Sequence, residues 1–283
     1  MVLTRIAVLT LVFTLFGCAS GPGINTDLEA AVTGRSAEDR ARDAARHPAE
    51  TLAFFRVTPG MTVAETLPGG GWYTRVLAPY LGGDGTLYGV NYAADMLPLF
   101  SWMSPERIEK AKADMAAFDQ TVAGYTDNGI SARGFAFDGV PSEVEGTVDR
   151  VLFIRSLHHL NRFEGEANTL TRALADTHAM LSAEGLVGVV QHRAPEDAPA
   201  ETVLGHRGYL KQADVVAAFE AAGFELVATS EINANAADKP GPKDSVWRLP
   251  PSLRGTDDDP ALKAKMQAIG ESDRMTLLFA KAD

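Results

Sequence analysis

The sequence predicts an α/β domain: a doubly wound, mostly parallel sheet with an antiparallel last strand and a group of helices ahead of the first strand. Two patterns and the composition carry this. Short β-prone runs alternate with longer helical stretches along most of the chain, which is the signature of a parallel sheet wound with helices rather than of a sandwich. The first of those runs leads directly through Pro68-Gly69-Gly70-Gly71 into a helical stretch, giving strand, glycine turn and helix in succession. At 283 residues, with 46% hydrophobic and 22% charged side chains, the composition suits one large globular domain and neither a fibre nor a disordered chain.

The elements follow in order. Residues 36–47 are charged and alanine-rich and read as a helix; Pro48 then opens another with Leu52 and Phe55 on one face, the pair forming a lid or flank. Residues 61–67 are the first strand, followed by a helix over 72–81. Residues 86–90 read as strand, 104–118 as helix, 131–137 and 148–154 as strands. A long helix over 165–181 leads into a strand at 186–190, and a helix over 211–222 is closed by Gly223, a residue suited to a left-handed cap. Residues 224–229 form the next strand. Residues 233–272, rich in Asp, Pro, Lys and Asn with one helical piece at 261–269, are expected as an insertion or lid partly covering the site; the block 232–274 is assigned to it as a whole. Residues 275–281 are the last strand.

Ahead of the domain, the chain has a short basic start, an apolar run over residues 6–16, and Gly17-Cys18-Ala19-Ser20. That is the layout of an export signal, and the apolar run is too short to span a bilayer core needing about 20 residues. Leu15-Phe16-Gly17-Cys18 resembles a bacterial lipoprotein signal, in which the cysteine becomes the lipidated N-terminus; Ser20 behind it resembles an outer-membrane sorting residue. The expectation is a signal peptide at 1–17, a lipid-anchored tether at 18–35 and a domain at 36–283, carried on the periplasmic side of a bacterial membrane. Cys18 is the sole cysteine, so neither disulfides nor thiolate metal ligands are available.

The formal charge of −11, made one unit more negative by losing Arg5 with the signal, repels phosphate backbones. Nucleic acid is therefore excluded as a partner, and the membrane is expected to be met only through the anchor. A small-molecule substrate is the expected partner, with the oligomeric state open.

Glu65-Thr66-Leu67-Pro68-Gly69-Gly70-Gly71-Trp72-Tyr73-Thr74 lies at the first strand-to-helix turn, where parallel sheets present bare backbone amides to ligand. Thr74 stands where a dinucleotide fingerprint needs a glycine, and no Lys-Ser or Lys-Thr follows as a P-loop requires. A Gly-x-Ser-x-Gly elbow is also missing, which removes the simplest hydrolase reading. The segment resembles the acid-x-x-x-Gly-x-Gly motif of class I S-adenosylmethionine-dependent methyltransferases, in the Pro-Gly-Gly-Gly-Trp-Tyr-Thr form of a group of exported members. The similarity runs from about residue 36 to the C-terminus and takes in His206-Arg207, Arg254-Gly255-Thr256 and Asp273-Arg274.

The resemblance implies a Rossmann-like methyltransferase fold with S-adenosylmethionine as cofactor. By it, Glu65 orients the turn and reaches toward the methionine amine, while Gly69, Gly70 and Gly71 pass beneath the ligand; Trp72 and Tyr73 adjoin them as candidate stacking rings. Asn91, ending the second strand, takes the place of the family's ribose-binding acid, and Asp138, after the third, matches the adenine-amine position. Asn91 also reads as a loop-entry residue and Asp138-Gly139 as an ordinary turn. Leu67 departs from the pattern by standing where the first turn glycine is usual. Ser156 and His158 follow the fourth strand and are expected at the cofactor; His159, His192 and His206 are expected near the same edge as acceptor-side bases. No metal is expected, because the histidines lack an i, i+4 pair or a carboxylate at ligand spacing. The rival expectation is a binding module that has lost or exchanged its cofactor, motivated by export away from the cytoplasmic source of S-adenosylmethionine and by Leu67 and Asn91. A weaker third is a cytoplasmic enzyme whose apolar N-terminus is not a signal.

Overall fold

A computed structural model describes residues 23–283; the expected signal peptide and Cys18 lie outside the described residues. Seven strands form one sheet: β1 (Thr62–Thr66), β2 (Thr86–Asn91), β3 (Ser131–Ala136), β4 (Val148–Ile154), β5 (Leu181–His192), β6 (Phe224–Ser230) and β7 (Arg274–Lys281). Their order is β3-β2-β1-β4-β5-β7-β6. β3, β2, β1, β4 and β5 pair in parallel, while β7 runs antiparallel between β5 and β6. The chain reverses its direction of travel across the sheet between β1 and β4, which is where open parallel sheets place ligands, at the strands' carboxyl ends.

The sheet is covered on both faces, so its central strands are apolar on both sides. In β4, Phe153 packs with Phe137, Phe219 and Phe279 on one face, while Leu152 packs with Leu28, Phe55, Leu77 and Leu278 on the other. Two glycines permit close helix approach: a Cβ at Gly89 would sit 2.7 Å from the Phe118 ring, and one at Gly134 would sit 2.0 Å from the Met115 carbonyl.

Before β1 come α1 (Thr26–Thr33), α2 (Ala37–Arg40), α3 (Asp43–Arg46) and α4 (Pro48–Phe54). Here the expected tether is corrected. Residues 26–33 are a helix capped by Asn25, whose Oδ1 accepts from the Leu28 amide at 2.8 Å, and Leu28 is fully buried. The sequence signal of this helix is Asn25 ahead of Leu28, Ala31 and Val32 at helical spacing. Truncating Leu28 to alanine should therefore lower the unfolding free energy by about 2–5 kcal/mol, read by urea denaturation; a true tether would show no change.

After β1 comes α5 (Thr74–Leu81), two residues later than expected because Trp72 and Tyr73 belong to the turn. The expected helix at 104–118 is two, α6 (Pro105–Ala116) and α7 (Phe118–Ala123), broken at Ala117. After β4 come α8 (Leu157–Asn161), α9 (Glu164–Ala167) and α10 (Thr169–Met180). The long helix expected at 165–181 is interrupted at Asn168, left-handed at φ 51°, where the Glu164 carboxylate accepts from the Leu170 amide at 2.7 Å. β5 is longer than the expected 186–190, running from Leu181 through a shifted register against β4. α11 (Gln212–Ala221) precedes β6.

Residues 233–272 hold one regular α-helix, α12 (Pro260–Ile269), and are tied down along their length. Asn233 donates to Thr51 and Thr276, both at 3.0 Å, and Asn235 donates to the Ile269 and Glu271 carbonyls at 2.8 and 2.6 Å. Asp238, whose side chain is fully buried, pairs with Arg248 at 2.8 Å and accepts from the Tyr209 hydroxyl at 3.0 Å. No helix among the described residues is long and apolar enough to cross a membrane.

Candidate functional site

A cavity of about 580 Å³ opens at the carboxyl ends of β1, β4 and β5. Its floor is Glu65 and the turn Leu67-Pro68-Gly69-Gly70; α2 and α3 contribute Asp39, Arg42 and Arg46; the exits of β4 and β5 contribute Arg155, Ser156 and His192. Trp247 and residues 249–252 of the insertion form its roof, with Glu271 and Ser272 ahead of β7 closing the side.

The backbone turns sharply at two equivalent places. Leu67 and Arg155, the residues directly after β1 and β4, both take left-handed conformations at φ 50° and 60°, and their amides donate to Val90 and Val190 carbonyls. A side chain there costs about 1–2 kcal/mol relative to glycine, so these turns are strained and held by their surroundings. Gly69 at φ 56° continues the first turn without that cost, and its backbone and that of Gly70 face the cavity with no side chain between.

Glu65 is 4% exposed and its carboxylate accepts from Thr74 Oγ1 at 2.6 Å, at the start of α5. Burial outweighs that bond and raises its pKa to about 7. Arg75 forms a bidentate pair with Asp39, both contacts at 2.7 Å, and donates to the Gly70 carbonyl at 2.8 Å, bolting α2 to the glycine turn. Glu271 receives Arg42 at 2.8 Å, Arg46 at 3.1 Å and Arg274 at 3.3 Å.

Three histidine rings cluster on the wall. His158 and His159 have centroids 4.1 Å apart and His158 and His192 5.3 Å apart. Gln191 Nε2 donates to the Gly208 carbonyl, leaving its Oε1 to accept from His158 Nδ1 at 3.2 Å; His192 Nδ1 lies 2.6 Å from Ser272 Oγ. Burial first, then neighbouring positive charge, holds all three below the ordinary range, His159 at about 4. They are neutral at pH 7 and present imidazole nitrogen as base. Because the folded values lie below about 6.5, the histidines stabilise the fold above that pH and lose this stabilisation as pH falls. The thermal midpoint should drop between pH 7 and pH 5 by more in the parent than in His159→Gln; equal drops would exclude His159 as a contributor. Glu65 acts in the opposite direction over this range, so the drop reports the histidines outweighing it. Among the described residues, no three His, Cys, Asp or Glu side chains are grouped to hold a metal ion.

Of the expected residues, Glu65, Gly69, Gly70, Trp72, Tyr73, Ser156, His158, His159 and His192 line this cavity. Ser156 is buried and shares a 3.0 Å hydrogen bond with Thr66. Trp72 and Tyr73 correct the stacking expectation in part: Arg35 and Arg46 guanidiniums lie 4.6 and 4.7 Å from the Trp72 ring centre, and Tyr73 packs edge-on against it, so both rings are committed to protein contacts.

Four expected residues are not on the cavity lining. Asn91 Oδ1 accepts from the next amide, that of Tyr92, at 3.2 Å, the local bond of a loop-entry residue, and Tyr92 takes the wall position instead. Asp138 is a left-handed turn residue at φ 69° facing Arg172 and Asp176. Gly71 is backed by Tyr125, whose hydroxyl lies 2.8 Å from where a Cβ would be. His206 is exposed, because Gly205 packs closely on the His158 carbonyl and the chain then turns outward. Arg42, Arg46, Tyr92, Arg155 and Glu271, none of them expected there, also line the cavity, as does Trp247 of the insertion; the i, i+4 arginines and the Arg155-Ser156 pair after β4 are their sequence signals.

No protein-family model matches the chain, and no curated protein matches it. Solved structures do. A chain of the complex between the Haloferax volcanii Trm112 methyltransferase activator and a candidate methyltransferase is 19% identical with a TM-score of 0.51, over 92% of this chain and 98% of that one. The [4+2]-cyclase SpnF is 15% identical with a TM-score of 0.50, over 93% and 86%. The 1,6-didemethyltoxoflavin-N1-methyltransferase of Burkholderia thailandensis, solved with 1,6-didemethyltoxoflavin and S-adenosylhomocysteine bound, is 12% identical with a TM-score of 0.46, over 90% and 85%. The chain has the Rossmann-like methyltransferase fold, its seven-stranded sheet ending in antiparallel strands.

Proposed function

We propose that this protein is an S-adenosylmethionine-dependent methyltransferase acting on a small or envelope-associated acceptor, exported and held by a lipid on Cys18 at the periplasmic side of a bacterial membrane, in the outer membrane by the Ser20 signal. One observation supports the chemistry above the rest: bare backbone at Gly69 and Gly70 beside the buried Glu65 carboxylate, on the floor of a cavity at the sheet's switch point. A zwitterion with a positive sulfur fits such a seat, since a carboxylate and free amides match its charges, and about 580 Å³ lies within the range of small-molecule sites.

When bound, S-adenosylmethionine supplies an electrophilic methyl group. Glu65 would hold the amine and the turn would pass beneath the ligand. The neutral His158, His159 and His192 can accept the proton an acceptor hydroxyl, amine or thiol gives up. Trp247 and residues 249–252 cover part of the cavity, and alignment of the partners is the main catalytic contribution.

A second reading, a binding protein with a lost or exchanged cofactor, is favoured by Asn91 and Asp138 standing off the cavity and by the cyclase that shares the fold. Titration calorimetry with S-adenosylmethionine and S-adenosylhomocysteine separates the two: micromolar binding is expected, and no heat at millimolar ligand selects the second. Fractionation of Cys18→Ser tests the anchor, with release from the membrane pellet expected.

A further inference from the structure

Arg155 stands out among the cations of the cavity. Arg42, Arg46 and Arg274 share Glu271, and Arg75 is paired with Asp39. Arg155 lines the same cavity but has no ion pair or side-chain hydrogen bond among the described residues, and its Nε is buried without a partner. An unpaired guanidinium in a largely desolvated place is costly, and its pKa is held down to about 10 by burial and by Arg274. Its backbone is strained as well. Such an arrangement is kept where an incoming anion completes it.

Position says which anion. Arg155 follows β4, its amide bonded to Val190 of β5, on a cavity lining it shares with His192, Glu271 and Ser272; Glu65, on the neighbouring β1, also feels its charge. With β1 and β2 on the cofactor side, the half over β4, β5 and β7 is left for the acceptor. In that half three guanidiniums share one carboxylate and a fourth has none, so the local balance is positive within an acidic protein.

We propose that Arg155 is the direct contact of an anion subsite in the cavity, taking a carboxylate or phosphate group of the methyl acceptor, with Arg42 beside it. The assignment of this anion to an acceptor rests on the methyltransferase reading; the subsite itself does not. The bidentate fork of arginine suits both groups.

Calorimetric titration of the parent protein with inorganic phosphate and, separately, with succinate tests this, alongside Arg155→Gln and Arg42→Gln. One of the two probes should bind in the parent at millimolar concentration or tighter, the better one identifying the group, and weaken about tenfold or more in Arg155→Gln and less in Arg42→Gln. S-adenosylhomocysteine affinity should stay within about twofold in Arg155→Gln. Absence of binding by both probes in the parent, or equal binding in a folded Arg155→Gln, overturns the subsite. A parallel loss of S-adenosylhomocysteine affinity overturns it too, since Arg155 would then hold the methionine carboxylate. Anion binding that depends on Arg155 in a protein blind to S-adenosylhomocysteine keeps the subsite and removes the methyltransferase reading. Arg155→Gln is expected to fold, because the side chain it removes satisfies no partner; if it does not, Arg42→Gln must still weaken the better probe.

Discussion

Glu65→Ala should weaken S-adenosylhomocysteine binding about a hundredfold in calorimetry, while Glu65→Gln should make the fold more stable at pH 8 than the parent. The two signs come from one fact. The carboxylate is buried with a single side-chain donor, so ionising it inside the protein is unfavourable until a cation arrives. A folded pKa near 7 against 4.5 means the folded state binds more protons between those values, so Glu65 stabilises below about 4.5 and that contribution is lost as pH rises through about 7. The difference is on the order of 3 kcal/mol at pH 8 and is what Glu65→Gln should recover. The ligand amine should likewise bind more tightly as pH rises from 6 to 8. Unchanged affinity in Glu65→Ala would move the cofactor away from the glycine turn.

Glu271→Ala should be the most destabilising single change near the cavity, by about 3–5 kcal/mol in guanidinium denaturation. Its side chain is 10% exposed and receives three arginines from α3, the residue before it and the start of β7, so its loss leaves buried positive charges facing one another. Adding Arg46→Met to Glu271→Ala should restore part of the loss, because it removes one of the stranded cations. If the double variant is no more stable than the single, charge is not the cause.

The sheet was legible because its strands are apolar runs punctuated by glycine and proline, and that pattern survives whatever packs on it. Helix ends were less so. Ala117 interrupts a helix where Met115 and Phe118 pack on the remote glycines of β2 and β3, and Asn168 does so where a nearby Glu164 side chain takes the next helix's first amides. At the site, the glycine turn and Glu65 could be read directly, since local chemistry and place in the strand order agree. Asn91 and Asp138 could not, because whether a strand-end side chain faces a cavity or bonds its own backbone depends on the next residue's packing, and Tyr92 took the wall. The arginines show in the sequence only as an i, i+4 pair and as Arg155-Ser156 after β4; which of them is paired and which is not is a property of the folded state.

Asn25 stands at the start of α1: its side chain both caps that helix and donates to the Tyr80 hydroxyl at 3.2 Å. About seven peptide units separate it from Cys18, a reach of roughly 25 Å at full stretch. Acylation of Cys18, if it occurs as proposed, would leash the folded body that closely to the bilayer, so large soluble molecules would be screened from it by headgroups. Amphiphiles and metabolites crossing the surface layer would be its natural clientele.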